Sequence, residues 1–373
     1  MGLHDLWSPF FPCEDKVKKR IVIAMSGGVD SSVAAAILKE QGHEVIGVTM
    51  ELWDGSCHGA EPQNAPPLQK NKDVVAEARK VAAQLNIPFH SFDLKTDFQH
   101  QVVDPFCDAY LSGLTPNPCI ICNKFLKFGS LLQITKDLGA EYLATGHYVD
   151  LARNDGFFQV RKGIDRNKDQ SYFLFSLDQK QLSKCLFPLG KMNKVQVRGY
   201  AAQLNLSVAE KAESQDICFI PDGDYTSFLQ RERGLSLLSG DIIHISGQVL
   251  GQHQGTYKYT IGQRKGLGIA WSEPLYVVAI NAPDKQVVVG EKQHLSRVEL
   301  LLSYCNWSIP QPQEEFTVAC RIRYRHIEVP AKVAPLSDNR AKVFFETAQK
   351  GITPGQAAVF YADDLVIGGG WIQ

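Results

Sequence analysis

Apolar positions in the first 150 residues fall into short β-branched runs that alternate with helical spacing. Ile21-Val22-Ile23 reads as a buried strand, and Val33-Ala34-Ala35-Ala36-Ile37-Leu38-Lys39, just after a glycine-containing break, is a run of helix formers. Glu44 to Met50 follows Gly42 and predicts a second strand. Residues 54–71, rich in Gly, Pro, Asn and Gln, predict a loop. Val74, Ala78, Val81, Ala82 and Leu85 recur at helical spacing over Asp73 to Leu85, and Pro88 opens a strand at Phe89-His90-Ser91-Phe92. Further helices are expected at about Asp97 to Leu111 and at Leu126 to Leu138, with a strand from Glu141 to Gly146. Repeated strand–helix units imply an α/β parallel sheet wrapped by helices, with ligands at the carboxyl ends of its strands. Gly28, Met50 and Gly146 all fall at or just past such ends.

From about Glu213 the helical periodicity fades. Gly251, Gly255, Gly262, Gly266 and Gly268 punctuate short β-like runs, so Gly247 to Ile269 reads as a small β-rich domain. From Leu275 onward the runs 276–280, 286–289, 316–319, 341–345 and 357–361 predict short strands in a closed barrel or sandwich. Alternation along Arg321-Ile322-Arg323-Tyr324-Arg325 would set three guanidinium groups on one strand face, a comb suited to phosphates, with Tyr324 stacking on a base or packing inward.

The break after the first strand, Ala24-Met25-Ser26-Gly27-Gly28-Val29-Asp30-Ser31-Ser32, aims backbone N–H groups and the positive end of a helix at one point. The glycines let a phosphate approach the backbone, Ser26, Ser31 and Ser32 add hydroxyl donors, and Asp30 is placed to hold a metal or cap the helix. No Gly-Lys-Ser/Thr closes the loop and no Gly-x-Gly-x-x-Gly is present, which excludes the two commonest nucleotide loops. The spacing Ser-Gly-Gly-x-Asp-Ser resembles the pyrophosphate loop (PP-loop) of ATP pyrophosphatases.

The 373 residues predict two or three domains, and 44% hydrophobic content supplies their cores. No apolar run approaches the ~18 residues of a membrane span. The first residues show no secretory pattern, and 1–17 read as a poorly structured extension. Nine cysteines do not form a disulfide scaffold here, which points to a cytoplasmic protein with free thiols. Net charge is −1, yet Arg153 to Arg198 carries ten Lys/Arg against four Asp. A local basic surface on a neutral chain suits a polyanion bound in one place.

Two cysteine contexts complete the set: Thr115-Pro116-Asn117-Pro118-Cys119-Ile120-Ile121-Cys122-Asn123-Lys124 and Glu213-Ser214-Gln215-Asp216-Ile217-Cys218-Phe219-Ile220-Pro221. Together with the loop above, Ala144-Thr145-Gly146-His147-Tyr148, Lys168-Asp169-Gln170-Ser171-Tyr172 and Thr353-Pro354-Gly355-Gln356, they resemble the bacterial tRNA-specific 2-thiouridylase family over about Lys18 to Gln373. The resemblance implies an enzyme, a tRNA-uridine 2-sulfurtransferase. It would adenylate O2 of the wobble uridine of tRNAs for Lys, Glu and Gln with ATP, then displace AMP with persulfide sulfur. By match, Cys122 is the nucleophile and Cys218 the persulfide carrier. Ala24, Met25, Ser26, Gly27, Gly28, Val29, Asp30, Ser31, Met50 and Gly146 form the ATP site. Asn117, Pro118 and Cys119 meet the target base, and His147, Lys168, Asp169, Gln170, Arg323, Tyr324 and Gln356 meet tRNA.

The implied architecture is a PP-loop ATP pyrophosphatase domain, a small β-rich central domain and a C-terminal β-barrel. The expected bounds are 1–17 extension, 18–212 adenylation, 213–274 central and 275–373 tRNA-binding barrel. Mg²⁺ is expected with the pyrophosphate leaving group, Asp30 being a candidate ligand. The sulfur donor implied by the family is a cysteine desulfurase, directly or through a relay, and the chain is expected to act as a monomer. Lys124 and Lys127 stand near enough in sequence to lower the Cys122 pKa. Cys119, where many family members carry Asp, admits several readings: a spectator; with Cys122 and Cys218 a ligand of a [4Fe–4S] cluster; a zinc ligand, with Cys57-His58 as a remote complement; or a partner in a regulatory disulfide, beside a transient Cys122–Cys218 bond. Cys107, Cys185, Cys305 and Cys320 read as buried small hydrophobes. Rival readings are another PP-loop ATP pyrophosphatase, such as an amidotransferase or small-molecule ligase, and a non-catalytic RNA-binding protein that senses ATP.

Overall fold

The computed structural model describes residues 17–53, 70–211, 217–236 and 238–373. The 1–16 extension, most of the 54–71 loop, Cys57-His58 and Glu213 to Asp216 lie outside the described residues. The N-terminal region contains β1 (Arg20–Ala24), α1 (Val29–Glu40), β2 (Glu44–Glu51), α2 (Lys70–Gln84), β3 (Phe89–Asp93), β4 (Tyr142–Ala144), the hairpin β5 (Val149–Asn154) and β6 (Phe157–Lys162), and β7 (Cys185–Leu186). Strands β3-β2-β1-β4-β7 form one parallel sheet, in that order. Ile21, Val22 and Ile23 are fully buried because helices cover both faces of the sheet: Ile21 and Ile23 pack with α1 and Val197, Val22 with Ile120, Phe128 and Leu131. Chain order reverses between β1 and β4, so the crevice at their carboxyl ends is the switch point where open α/β sheets bind ligands.

The central sheet has the order β10 (Leu275–Asn281), β11 (Gln286–Glu291), β8 (Gly240–His244), β9 (Val249–His253). Its β11 runs parallel to β8, with Val287 opposite Ile242. Strands 275–291, which the sequence groups with the C-terminal barrel, are therefore hydrogen-bonded into the central sheet. A helix, Tyr225–Arg233, precedes it where no helical periodicity was evident. Asp224 caps its start by accepting from Ser227 N–H, and Gly234 ends it at φ 56°, the two end signals that mark it in the sequence.

The last unit holds β12 (Ser296–Trp307), β13 (Phe316–Arg321), β14 (Val329–Leu336), β15 (Arg340–Lys350), β16 (Ala357–Ala362) and β17 (Leu365–Ile372). Pairing runs β12-β15-β14-β13-β16-β17, and β17 returns to β12, which closes a six-stranded antiparallel barrel. Alternate residues such as Ala331/Val333, Ala341/Val343/Phe345 and Ala358/Phe360 fill its interior. The β5–β6 hairpin extends from β17 through Leu365 opposite Arg161, tying the N-terminal region to the barrel. Among the described residues no helix is long and apolar enough to cross a membrane.

Candidate active site

The loop after β1 turns tightly because Gly27 sits at φ +63°, where a Cβ would also come within 2.9 Å of the Val74 carbonyl oxygen. Ser31 Oγ and Ser32 Oγ both donate to the Gly28 carbonyl, at 3.2 and 2.9 Å, and Ser26 N–H donates to Ser31 Oγ. Ser32 is fully buried, so its hydroxyl braces the turn instead of reaching a ligand, contrary to its expected use as a donor; Ser26 stays exposed. Gly146, just past β4, lies against this turn: a Cβ there would come 2.8 Å from Ser31 N and 2.9 Å from the Asp30 carbonyl carbon. Met50 is the penultimate residue of β2, the strand that pairs with β1. The expected ATP-site residues thus gather at one edge of the sheet, at the N-terminus of α1.

Two lysines missing from the expected set also converge there. Lys194 Nζ lies 2.7 and 2.9 Å from the two Asp30 carboxylate oxygens, and Tyr148 OH donates to Asp30 Oδ1 at 2.6 Å. Lys211 Nζ donates to the Gly27 carbonyl at 3.0 Å and pairs with Glu77. Lys194 opens the helix Lys194–Gln203, capped by Asn193, and its own N–H donates to Asp165. The only local hint was its place in the basic stretch. Both Asp30 oxygens are engaged, so a Mg²⁺ ion taking one of them would have to displace Lys194. The carboxylate does not fit a resident Mg²⁺ as arranged, and no step is routed through one.

Cys119 and Cys122 share the short helix Pro118–Cys122, which runs on into the wide-turned helix Asn123–Ser130. Cys122 is buried in an apolar cluster with Leu126, Phe98, Phe106, Phe219 and Ile220; Leu52 and Trp53, just past β2, pack against it. Phe219 and Ile220 anchor the turn that carries Cys218 and leave Cys218 itself exposed. The two cysteine segments, distant in sequence, therefore meet at the carboxyl edge of the sheet. Burial pushes the Cys122 thiol up to about 11, whereas Cys119 and Cys218 are both exposed. The Lys127 charge pulls Cys122 back, and the neighbouring Cys119 pushes it further up. Lys127 thus acts in the expected direction on Cys122 but is outweighed; Lys124 lies over the Phe125 ring. Among the described residues no three His, Cys, Asp or Glu side chains are arranged to hold a metal ion. Cys119, Cys122 and Cys218 as placed do not form a three-thiolate set for a [4Fe–4S] cluster, and the zinc reading turns on Cys57-His58, which lie outside the described residues. Cys107, Cys185, Cys305 and Cys320 are buried, as their reading as small hydrophobes requires.

Several residues expected to touch tRNA have structural partners instead. Asp169 is buried and accepts from Gly163 N–H, Ser171 N–H and Ser171 Oγ, with Arg321 Nη1 3.4 Å away. A carboxylate so enclosed holds the 163–171 loop and offers nothing to a phosphate. His147 is buried against Phe128 and Phe187 and hydrogen-bonded to Thr145 Oγ1, and desolvation keeps its pKa well below the ordinary value. It is neutral, so it is no cationic phosphate contact. Gln170 Oε1 accepts from Tyr148 N–H. Gln356 Nε2 donates to the Thr115 and Pro116 carbonyls, clamping the barrel onto the turn before Asn117, while Asn117 makes no capping hydrogen bond. The guanidinium comb does not form, because β13 ends at Arg321. Arg321 turns inward to Asp169 and Glu328 over the Tyr361 ring, whereas Arg323 and Arg325 remain exposed. Tyr324 packs on Phe173 at 4.4 Å. Lys168 is half-buried.

The family profile described as the tRNA methyl transferase HUP domain matches residues 19–222, that of the tRNA methyl transferase PRC-barrel domain 226–291, and that of the Aminomethyltransferase beta-barrel domain 297–372. A protein of Syntrophotalea carbinolica named tRNA-specific 2-thiouridylase MnmA is 53% identical over 356 residues, 95% of this chain and 98% of that relative. One of the same name in Geotalea uraniireducens is 52% identical over 95% of each chain, and one in Solibacter usitatus 44% over 95% and 99%.

Proposed function

Because this chain belongs to the tRNA-specific 2-thiouridylase family, we propose that it is a tRNA-uridine 2-sulfurtransferase that works through the nucleotide loop and the Cys122/Cys218 pair described above. One observation carries the reading: α1 starts just past the carboxyl end of β1, and both cysteine segments pack with Leu52 and Trp53 just past the carboxyl end of the neighbouring β2, so both lie at the same edge of the parallel sheet. Nucleotide chemistry alone would not require two thiols there, and methyl transfer, the word in two of the profile descriptions, would require neither the thiols nor a pyrophosphate loop.

In this reading ATP lies with its phosphates on the N–H groups of α1's first turn and its base side toward Met50 and Gly146. The turn Asn117-Pro118-Cys119, held from behind by Gln356, presents the wobble uridine. Its O2 attacks the α-phosphate, an O–P bond forms and pyrophosphate leaves. The terminal sulfur of a Cys218 persulfide attacks C2, and AMP departs with the oxygen. Cys122 as thiolate then attacks Cys218 Sγ, which releases 2-thiouridine and leaves a Cys122–Cys218 disulfide for an external thiol reductant. The Cys122 thiol is held protonated by burial, so entry of the nucleotide and RNA has to change its surroundings before it reacts. A cysteine desulfurase, directly or through a relay, supplies the persulfide, and Mg²⁺ enters with the ATP phosphates. Exposed Arg323 and Arg325, with Lys168, contact the RNA backbone. The substrates are the tRNAs for Lys, Glu and Gln, and the enzyme acts as a monomer.

Cys218→Ser is the direct test. It should abolish 2-thiouridine, read by mass spectrometry of the tRNA, while tRNA-dependent AMP release continues. Thiolation at the wild-type rate in that variant would overturn the assignment.

A further inference from the structure

We infer that Lys194 is a ligand of the ATP phosphates, held in readiness by Asp30 until nucleotide arrives. The inference rests on the reading of the α1 loop as an ATP site and adds a residue to it. Lys194 is largely buried, its side chain 11% exposed, while Asp30 is 32% exposed, so the pair opens to solvent on the carboxylate side. Asp30 itself lies in the first turn of α1, whose N–H groups receive the phosphates in that reading. A carboxylate at the second residue of α1 would repel a triphosphate seated on the same turn, unless a cation accompanies it. Lys194 supplies that cation from within the chain. It does so from a fixed base, since it is the first residue of a helix capped by Asn193 and its N–H is tied to Asp165. Tyr148 OH already donates to Asp30 Oδ1, and that bond remains when the ammonium turns from Asp30 toward the phosphates. A lysine ammonium suits this exchange because it is a point charge on a flexible stem and needs no planar partner. The same ammonium would then offset the charge that develops on the departing pyrophosphate.

Three variants separate this role from simple neutralisation of Asp30: Lys194→Met, Lys194→Arg and the double variant Lys194→Met/Asp30→Asn. ATP affinity is measured by equilibrium titration with and without Mg²⁺, AMP release is followed with tRNA at saturating ATP, and thermal melts report folding. Lys194→Met should weaken ATP binding at least tenfold and slow AMP release, and Lys194→Arg should recover part of both. The double variant leaves no unpaired carboxylate at this position, so it stays informative if the single variant fails to fold, and it should remain at least tenfold weak. Wild-type affinity in the double variant would show that the lysine only balances Asp30, and affinity within twofold in Lys194→Met would equally overturn the inference. Failure of the wild-type protein to bind ATP at all would instead overturn the reading of the loop on which the inference rests.

Discussion

Gly146→Ala is expected to injure the nucleotide site and the fold through one contact. The new methyl group would lie 2.8 Å from Ser31 N, 2.9 Å from the Asp30 carbonyl carbon and 3.1 Å from Ser31 Cα. All three are backbone atoms in the first turn of α1, so no side-chain rotation relieves the overlap. α1 cannot simply retreat, because Val33 to Leu38 are buried between the sheet and the helix at 194–203. Such overpacking costs about 1–3 kcal/mol. For a unit of the size matched at residues 19–222, each kcal/mol lowers Tm by about 2–4 °C, so a fall of about 2–12 °C is expected. The shift also tilts the N–H groups that would receive phosphate, and ATP affinity should drop at least tenfold. Gly199→Ala is the counterpart of opposite sign. Gly199 sits exposed inside the helix Lys194–Gln203 with nothing within 4 Å of its would-be Cβ, so alanine should stabilise by about 0.5–1 kcal/mol. Calorimetry and an equilibrium ATP titration on both variants decide the matter. Wild-type Tm and ATP affinity in Gly146→Ala would refute the claim that contact with the residue after β4 fixes the phosphate-binding turn.

Two further outcomes are expected. Since burial lifts Cys122 to about 11, its alkylation by iodoacetamide should accelerate about tenfold per pH unit up to roughly pH 10, where an unperturbed thiol would level off near its pKa of about 8.5; a plateau by pH 9 would contradict it. The sign for stability is also defined: a thiol whose pKa is raised by folding leaves stability unaffected below about pH 8.5 and lowers it as pH climbs above that value. Arg321→Leu removes the guanidinium that faces Asp169 and Glu328 and should cost about 3 kcal/mol in urea denaturation, because it leaves charge enclosed without its counter-ion. A loss below about 1 kcal/mol would mean that Lys162, whose Nζ also lies 2.8 Å from Glu328 Oε2, and the hydrogen bonds to Asp169 suffice without it.

The nucleotide loop was legible because its parts are contiguous: Ile21-Val22-Ile23 makes a buried strand, Gly27 must turn, and Val33 to Leu38 must helix, whatever the rest of the chain does. The thiols were legible only through their surrounding motifs, since no local feature brings Cys218 to Cys122. That meeting depends on Phe219 and Ile220 joining a cluster built from Phe98, Phe106 and Phe228. Charge partners were the least legible. Lys194 is 164 positions from Asp30 and is one of ten basic residues in its stretch, with nothing in its neighbours to single it out. The arginine comb failed for a related reason. Alternation sorts side chains only while the strand lasts, and beyond β13 each arginine follows its own partners, Arg321 inward and Arg323 and Arg325 to solvent. The inward turn of Arg321 has a consequence that alternation could not supply. Arg321 meets Asp169, the adjacent Gln170 accepts from Tyr148 N–H, and the Tyr148 hydroxyl reaches Asp30. The barrel that presents Arg323 is therefore linked through a short run of polar contacts to the carboxylate at the nucleotide loop. Removing Arg321 should consequently loosen the 163–171 loop on which Gln170 and Lys168 are carried, even though Arg321 itself touches neither the RNA side nor the ATP side.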